Sequence, residues 1–279
     1  MRIAFQISGE LRNWKTAYSL YSVIKNYLEE ESSIQVDFFL HCWKNDYSLS
    51  IEKEGLFDIF NSYSMSLIPD EGVVNYKSKK LFHPASVAYV HALTLYPWSF
   101  SLFKASKVRR EYQIKNNIKY DYIITTRPDS YFVFSTIERF KAFLAAPDRK
   151  TVNKDIPDNT DFFSLYRNNI KKNHTNNFTW IGYKGNDTTM IGTEEAINLY
   201  STNFHLIYLN LNHSSLPMSH NIPGLTAMKY NMDIISNNDA LNLKATILRQ
   251  DDGKFVNKAD NGDLFIEQPY LNSGKKEVI

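Results

Sequence analysis

The first 43 residues constrain the fold more tightly than any other stretch of the chain. "RIAFQIS" (2–8) alternates Ile3, Phe5 and Ile7 with Ala4 and Gln6, the period-two pattern of a strand. After the turn "GELRN", Ala17, Leu20, Tyr21, Ile24 and Leu28 recur at helical spacing and define one apolar face. "IQVDFFLHCW" (34–43) is a second strand. Strand, glycine turn, helix and strand in succession open a parallel sheet, because a helical crossover returns the chain to the same edge. The expected fold is α/β, with a mostly parallel central sheet flanked by helices.

The rest of the chain extends this plan. Residues 86–117 read as helix in two pieces broken at Pro97, since a proline lacks the N–H that a helix interior needs. "YDYIITTRPDSYF" (120–132) begins as a core strand over 121–126 and then meets Pro128, which cannot join a ladder. A helix with Ile137, Phe140 and Leu144 on its inner face follows, then a loop over 147–160. Thr193 suits the N-cap of a helix with Glu194 and Glu195 in its first turn and Ile197, Tyr200 and Phe204 on its buried face. A helix over 224–235 and a strand over 243–249 are also expected, whereas the polar, proline and glycine breaks of 44–85 allow short strands but fix no element. No repeat and no linker-like tract occurs. We expect one domain over 1–279, with functional halves at 1–146 and 147–279.

In an open α/β sheet, ligands bind beyond the carboxyl ends of the strands. The first strand ends in Ser8, Gly9, Glu10, Leu11 and Arg12. Glycine lets a backbone approach a ligand, a helix start offers N–H groups to an anion, and an arginine fork suits a diphosphate. An ordinary turn would read the same way. The second strand ends in His41, Cys42 and Trp43. A lone histidine is either a satisfied core residue or a ligand, and Trp43 either packs or stacks on a base.

The third strand end delivers Arg127 and Asp129 on one side of the chain, clear of core packing. Two readings apply. One is a surface ion pair, worth about 0–1 kcal/mol. In the other, Asp129 is a hard oxygen ligand for Mg²⁺ or Mn²⁺, and the metal bridges to phosphates.

Several classes are excluded. The formal charge of +2 does not suit a general nucleic-acid binder. One cysteine, Cys42, allows neither an internal disulfide nor a cysteine-based zinc cluster. The Rossmann and P-loop glycine signatures are missing. The start turns polar by residue 6, unlike a signal peptide, and no apolar run approaches the roughly 18 residues of a membrane span. A cytoplasmic protein is expected, with peripheral membrane contact left open.

Four segments in order, "ISGELRNW", "FFLHCW", "YDYIITTRPDSYF" and "NDTTMIGTEEAINLY", resemble a family of GT-A-like glycosyltransferases of bacteria and large or tailed viruses. The resemblance implies a GT-A-like fold and transfer of a hexose from a nucleoside diphosphate sugar to a glycan or lipid-linked acceptor, in surface polysaccharide or glycan synthesis. It implies that Ser8, Gly9 and Arg12 hold the nucleotide or its phosphates, with His41, Lys104, Arg109 and Arg127 as further donor-side residues. Asp129 would carry Mn²⁺ or Mg²⁺, although the family's Asp-x-Asp reads Arg127-Pro128-Asp129 here. Asp187, ahead of "TTMIG", would be the base or an acceptor contact. Lys104 and Arg109 face either diphosphate or solvent. Two rivals stand beside this reading: a catalytically inactive nucleotide-sugar or glycan-binding module on the same fold, and a sugar nucleotidyltransferase. "SGELRNWK" is too poor in glycine for the second.

Overall fold

The computed structural model describes residues 1–68, 87–133, 149–151, 189–202, 204–205, 233–235, 244–247, 249–251 and 254–256. Its centre is a five-stranded sheet. Strand β1 (Arg2–Gly9) leads through α1 (Trp14–Ser32) to β2 (Gln35–Trp43), and then through α2 (Asp46–Lys53) to β3 (Ser62–Ser66). The long helix α3 (Val87–Asn116) returns the chain to β4 (Tyr122–Thr126). After the short strands β5 (Ser130–Val133) and β6 (Arg149–Thr151) come β7 (Thr189–Gly192) and α4 (Glu194–Ser201). Four short strands complete the described chain: β8 (Asp233–Ile235), β9 (Lys244–Ile247), β10 (Arg249–Asp251) and β11 (Lys254–Val256).

The sheet order is β3-β2-β1-β4-β7. The first four strands are parallel, and β7 runs antiparallel to β4. The expected α/β class with a mostly parallel sheet is therefore observed. Alternation sorts its side chains between two layers. Ile3, Phe5, Ile7, Phe38, Leu40, Cys42 and Ile124 pack with Ala17, Tyr21, Ile24 and Leu28 of α1, all buried. Burying each large apolar side chain contributes about 1.5–3 kcal/mol. Phe5 stacks on Phe38 at 4.8 Å, and Trp14 seals the layer against Tyr21 and Phe60. The other face carries Gln6, Phe39 and His41 beneath α3, with α4 alongside. Both faces of β1 and β2 are thus covered, which explains their nearly continuous burial.

Three expectations are corrected. Helix α3 runs unbroken through Pro97. Leu95, Tyr96, Ser99, Ser101 and Leu102 are buried on both sides of the proline, and this packing outweighs one lost hydrogen bond. Ser99 Oγ also donates to the Tyr96 carbonyl at 3.0 Å. Second, residues 149–151, expected as loop, pair antiparallel with 233–235, expected as the end of a helix. Ile234 and Ile235 are β-branched and suit a ladder better than a helix end. Third, Asp129 does not stand clear of the core but is buried, with only 2% of its surface exposed. The strand expected at 243–249 is found as β9, paired with β5. The helix expected around Ile137, Phe140 and Leu144 lies outside the described residues. Among the described residues, no helix is long and apolar enough to cross a membrane.

Candidate functional site

The strand order turns at one place. From β1 the chain moves outward to β2 and β3, then comes back to the other side of β1 for β4. That reversal makes a switch point between the carboxyl ends of β1 and β4, and open α/β sheets bind ligands in the crevice outside such a point. The register sets the ends level: Gly9 is opposite Cys42, Ile7 opposite Thr126, and Trp43 opposite Ser66. Strand β7 begins at the same edge, with Thr189 opposite Thr126.

On the β1 side, Ser8 and Gly9 are half-buried. Gly9 has φ +128°, a conformation that L side chains rarely adopt. Its missing Cβ would lie 3.6 Å from Pro128 Cδ, so the two strand ends approach closely. The chain then tightens, with the Arg12 N–H donating to the Glu10 carbonyl at 2.8 Å, and α1 begins after Asn13 at φ +53°. No acidic residue occupies the first turn of α1, so its positive end is not neutralised from within the helix. Arg12 has 63% of its side chain exposed, and its Nη2 pairs with Glu10 Oε2 at 2.6 Å.

On the β4 side, the chain leaves the sheet through Arg127, Pro128 and Asp129. The Tyr21 hydroxyl, from the buried face of α1, donates to the Arg127 carbonyl at 3.1 Å. Burial raises the Tyr21 phenol above its ordinary range, the neighbouring Asp129 charge adds to this, and a hydrogen bond with Thr126 opposes it. The hydroxyl is therefore a firm donor. Arg127 Nε and Nη2 donate to the two oxygens of Asp129, at 2.8 and 2.6 Å. This is the bidentate fork of a strong charge-assisted pair.

A resident Mg²⁺ or Mn²⁺ fits these donors poorly. Such an ion needs carboxylate oxygens with free lone pairs facing it. Asp129 is buried, and each of its oxygens already accepts from a guanidinium that carries the same sign of charge as the metal. Among the described residues, no group of three His, Cys, Asp or Glu side chains is arranged to hold a metal ion.

The other sequence candidates are engaged on the α3 face of the sheet. His41 is fully buried, with Nδ1 2.8 Å from Ser101 Oγ and Nε2 3.0 Å from Ser66 Oγ. Both ring nitrogens are occupied, the geometry of a satisfied core histidine. Burial, reinforced by the Lys104 charge, pushes its pKa down to about 3. Trp43 is also buried, edge-on to His41 and stacked on Phe100 at 5.7 Å. Lys104 is half-buried on α3, with Nζ 5.3 Å from the Phe100 ring centroid, a cation–π contact.

Arg109 meets neither solvent nor the strand edge. It is fully buried against the middle of β1, donating to Gln6 Oε1 at 3.2 Å and also to Gln113 and Asn198. Glu194 of α4 stands 3.7 Å away. Burial lowers the guanidinium pKa to about 10, with the Glu194 charge opposing that shift. Arg109 thus ties β1, α3 and α4 together. Asp187 lies outside the described residues.

Ser8, Gly9 and Arg12 thus follow the carboxyl end of β1, and Arg127 and Asp129 that of its neighbour β4, whereas His41, Lys104 and Arg109 serve the packing of α3. Two residues of the crevice were not anticipated. Tyr21 reads as one more apolar position on a helix face, and only the fold reveals its hydroxyl on Arg127. Glu10 could have been found from its place two residues before Arg12.

No protein-family model and no curated protein matches the chain. Among solved structures, mouse xyloside xylosyltransferase 1 in its apo form aligns with a TM-score of 0.35 and 14% identity, over 82% of this chain and 81% of that one. A likeness at that level carries neither activity nor substrate across.

Proposed function

We propose that the chain is a glycosyltransferase that moves a hexose from a nucleoside diphosphate sugar to a glycan or lipid-linked acceptor. The observation that carries this reading is the reversal of strand order between β1 and β4, flanked by Gly9 on one side and Arg127 on the other. Three of the four segments that resemble GT-A-like enzymes end at this single edge, although they lie far apart in sequence. Ser8 and Gly9 offer backbone and hydroxyl to the donor, and Arg12 offers a guanidinium within reach of solvent. In this reading residues 1–146 bind the donor and 147–279 face the acceptor, within a cytoplasmic protein of surface polysaccharide or glycan assembly.

The chemistry asks two things of the site. The bond from the anomeric carbon to the diphosphate oxygen breaks, so negative charge grows on the leaving group and nearby cations stabilise it. A bond to the acceptor oxygen forms, and the proton of that hydroxyl must be taken up. We assign the proton to Asp187 if the reaction inverts, with an acceptor contact as its other role. Support comes from its place in the sequence, two residues ahead of the strand that begins at this edge with Thr189.

A catalytically inactive nucleotide-sugar or glycan-binding module is the second reading, favoured by the single acid of 127–129 being already engaged by Arg127. The test is a melting panel of UDP-, GDP-, CMP- and dTDP-sugars followed by a turnover assay. A donor at 100 times its Kd stabilises by about 2.7 kcal/mol, which raises Tm by roughly 5–10 °C. A shift with turnover supports the enzyme, a shift without turnover supports a nucleotide-sugar-binding module, and no shift with any donor overturns both of these and leaves only a glycan-binding module.

A further inference from the structure

We propose that Arg127, and not a divalent cation on Asp129, holds the phosphates of the ligand in the crevice. This rests on the donor-site reading given above and sharpens it. The guanidinium carries five N–H bonds in a rigid plane. Its Nε–Nη2 edge is committed to the two oxygens of Asp129, at 2.8 and 2.6 Å. The second edge, built from Nη1 and the remaining N–H of Nη2, has no partner among the described residues. That edge has the spacing of two phosphate oxygens. Arg127 keeps 35% of its side chain exposed, whereas Asp129 keeps 3%. A ligand arriving from solvent can therefore reach the arginine, and Asp129 is reached only by displacing it.

The surroundings hold the fork in one orientation. The Arg127 carbonyl is tied to the Tyr21 hydroxyl, and the next residue is a buried proline with its φ fixed by the ring. The buried carboxylate sets the plane of the guanidinium from behind. A fork fixed in this way loses little freedom when an anion docks on its open edge. A metal at Asp129 would have to break both charge-assisted hydrogen bonds and would then stand beside the displaced cation.

The experiment is calorimetric titration of the full chain with inorganic pyrophosphate, once in EDTA and once in excess Mg²⁺. The expected result is binding in EDTA, with an affinity within about threefold of that in Mg²⁺. Losing the charge-assisted contacts should weaken binding by roughly tenfold or more. Arg127→Gln alone strands a buried carboxylate and risks unfolding. The variant to use is therefore Arg127→Gln combined with Asp129→Asn, which removes both charges together, with its fold checked by circular dichroism. Binding that vanishes in EDTA and returns with Mg²⁺ overturns the proposal, as does unchanged affinity in the folded double variant. Pyrophosphate that fails to bind in either buffer overturns it too. If the nucleotide-sugar panel still shifts Tm in that last case, the donor-site reading survives; if the panel is also silent, both fall.

Discussion

Gly9 and Pro128 meet where the strand order reverses: a Cβ on Gly9 would stand 3.6 Å from Cδ of the proline ring. Neither residue carries a long side chain, so backbone and a compact pyrrolidine ring meet there. The relation joins two segments that lie more than a hundred residues apart. The polar residues that follow the two strands, Arg12 and Arg127, therefore leave the sheet from neighbouring strand ends.

The spacing at Gly9 is ordinary van der Waals contact, so backbone strain and not collision sets the cost of a substitution. At φ +128° a side chain occupies a region that is essentially restricted to glycine. Gly9→Ala is expected to lower stability by about 1–3 kcal/mol. Urea denaturation measures this. A loss within about 0.3 kcal/mol would mean that the turn relaxes freely and that Gly9 is not required there.

Arg109 separates a packing role from a ligand role. Its removal in Arg109→Met leaves Gln6, Gln113 and Asn198 without their shared donor and Glu194 without its cation. Glu194 keeps 33% of its side chain exposed and can turn to water, so the cost falls on the buried amides left without a donor, about 1–3 kcal/mol for each. The expected outcome is a large fall in the denaturation midpoint, with donor affinity of the remaining folded protein unchanged within about twofold. A stable variant with weakened donor binding would return Arg109 to the diphosphate.

The sheet was legible because its signals are local. Ile3, Phe5 and Ile7 alternate, Ala17, Tyr21, Ile24 and Leu28 recur at helical spacing, and all of them are buried where those patterns require. Strand order is not local. Nothing in residues 120–132 reveals that β4 returns to the far side of β1, and that return creates the crevice. Pro97 misled for a related reason: local preference argues for a break, but the turns on either side are held to the sheet. The ion pair of Arg127 with Asp129 was one of two open readings. Burial of the carboxylate depends on Tyr21 and the α1 layer, which a window around residue 129 does not contain.

His41 gives a pH signature. Its folded pKa is lowered to about 3 by burial and by Lys104, against an ordinary 6.5 in the unfolded chain. The unfolded state therefore takes up a proton first. The contribution of neutral His41 is fully present above about pH 6.5 and is lost progressively as pH falls toward 3. Between pH 7 and 5 this one group should remove about 2 kcal/mol of stability. In His41→Asn that share of the pH dependence should disappear, whatever the variant's starting stability. Identical pH slopes for the two proteins would show that His41 takes up its proton as readily in the fold as in the unfolded chain.

Asp187 is tested by kinetics. Asp187→Asn is nearly isosteric but cannot accept the acceptor's proton. If Asp187 is the base, donor binding should persist while kcat falls by about 10² to 10⁴, the usual share of general-base catalysis. The loss belongs in kcat because the interaction is gained only in the transition state. A raised acceptor KM with kcat within about threefold would make Asp187 an acceptor contact instead.

Arg12 and Glu10 can be read as a pair. Both side chains are well exposed, at 63% and 48%, and their ion pair at 2.6 Å lies in water. Exposed pairs contribute about 0–1 kcal/mol, so Arg12→Ala should leave folding stability almost unchanged. If Arg12 grips the donor's phosphates, the same substitution should weaken binding of a nucleoside diphosphate by about 1.5–3 kcal/mol. Affinity for the bare nucleoside should stay the same. Glu10 sharpens the test, because its carboxylate occupies the guanidinium that a phosphate would need. Glu10→Gln removes that competitor and one negative charge from the mouth of the crevice. It should therefore tighten diphosphate binding severalfold, more so at low salt, where exposed charges are less screened. Calorimetry at two ionic strengths reads both variants. Opposite effects of Arg12→Ala and Glu10→Gln on the diphosphate, with neither affecting the nucleoside, are what phosphate recognition requires. If both variants weaken binding alike, the pair acts by shaping the turn after Gly9, and Arg12 does not read phosphate.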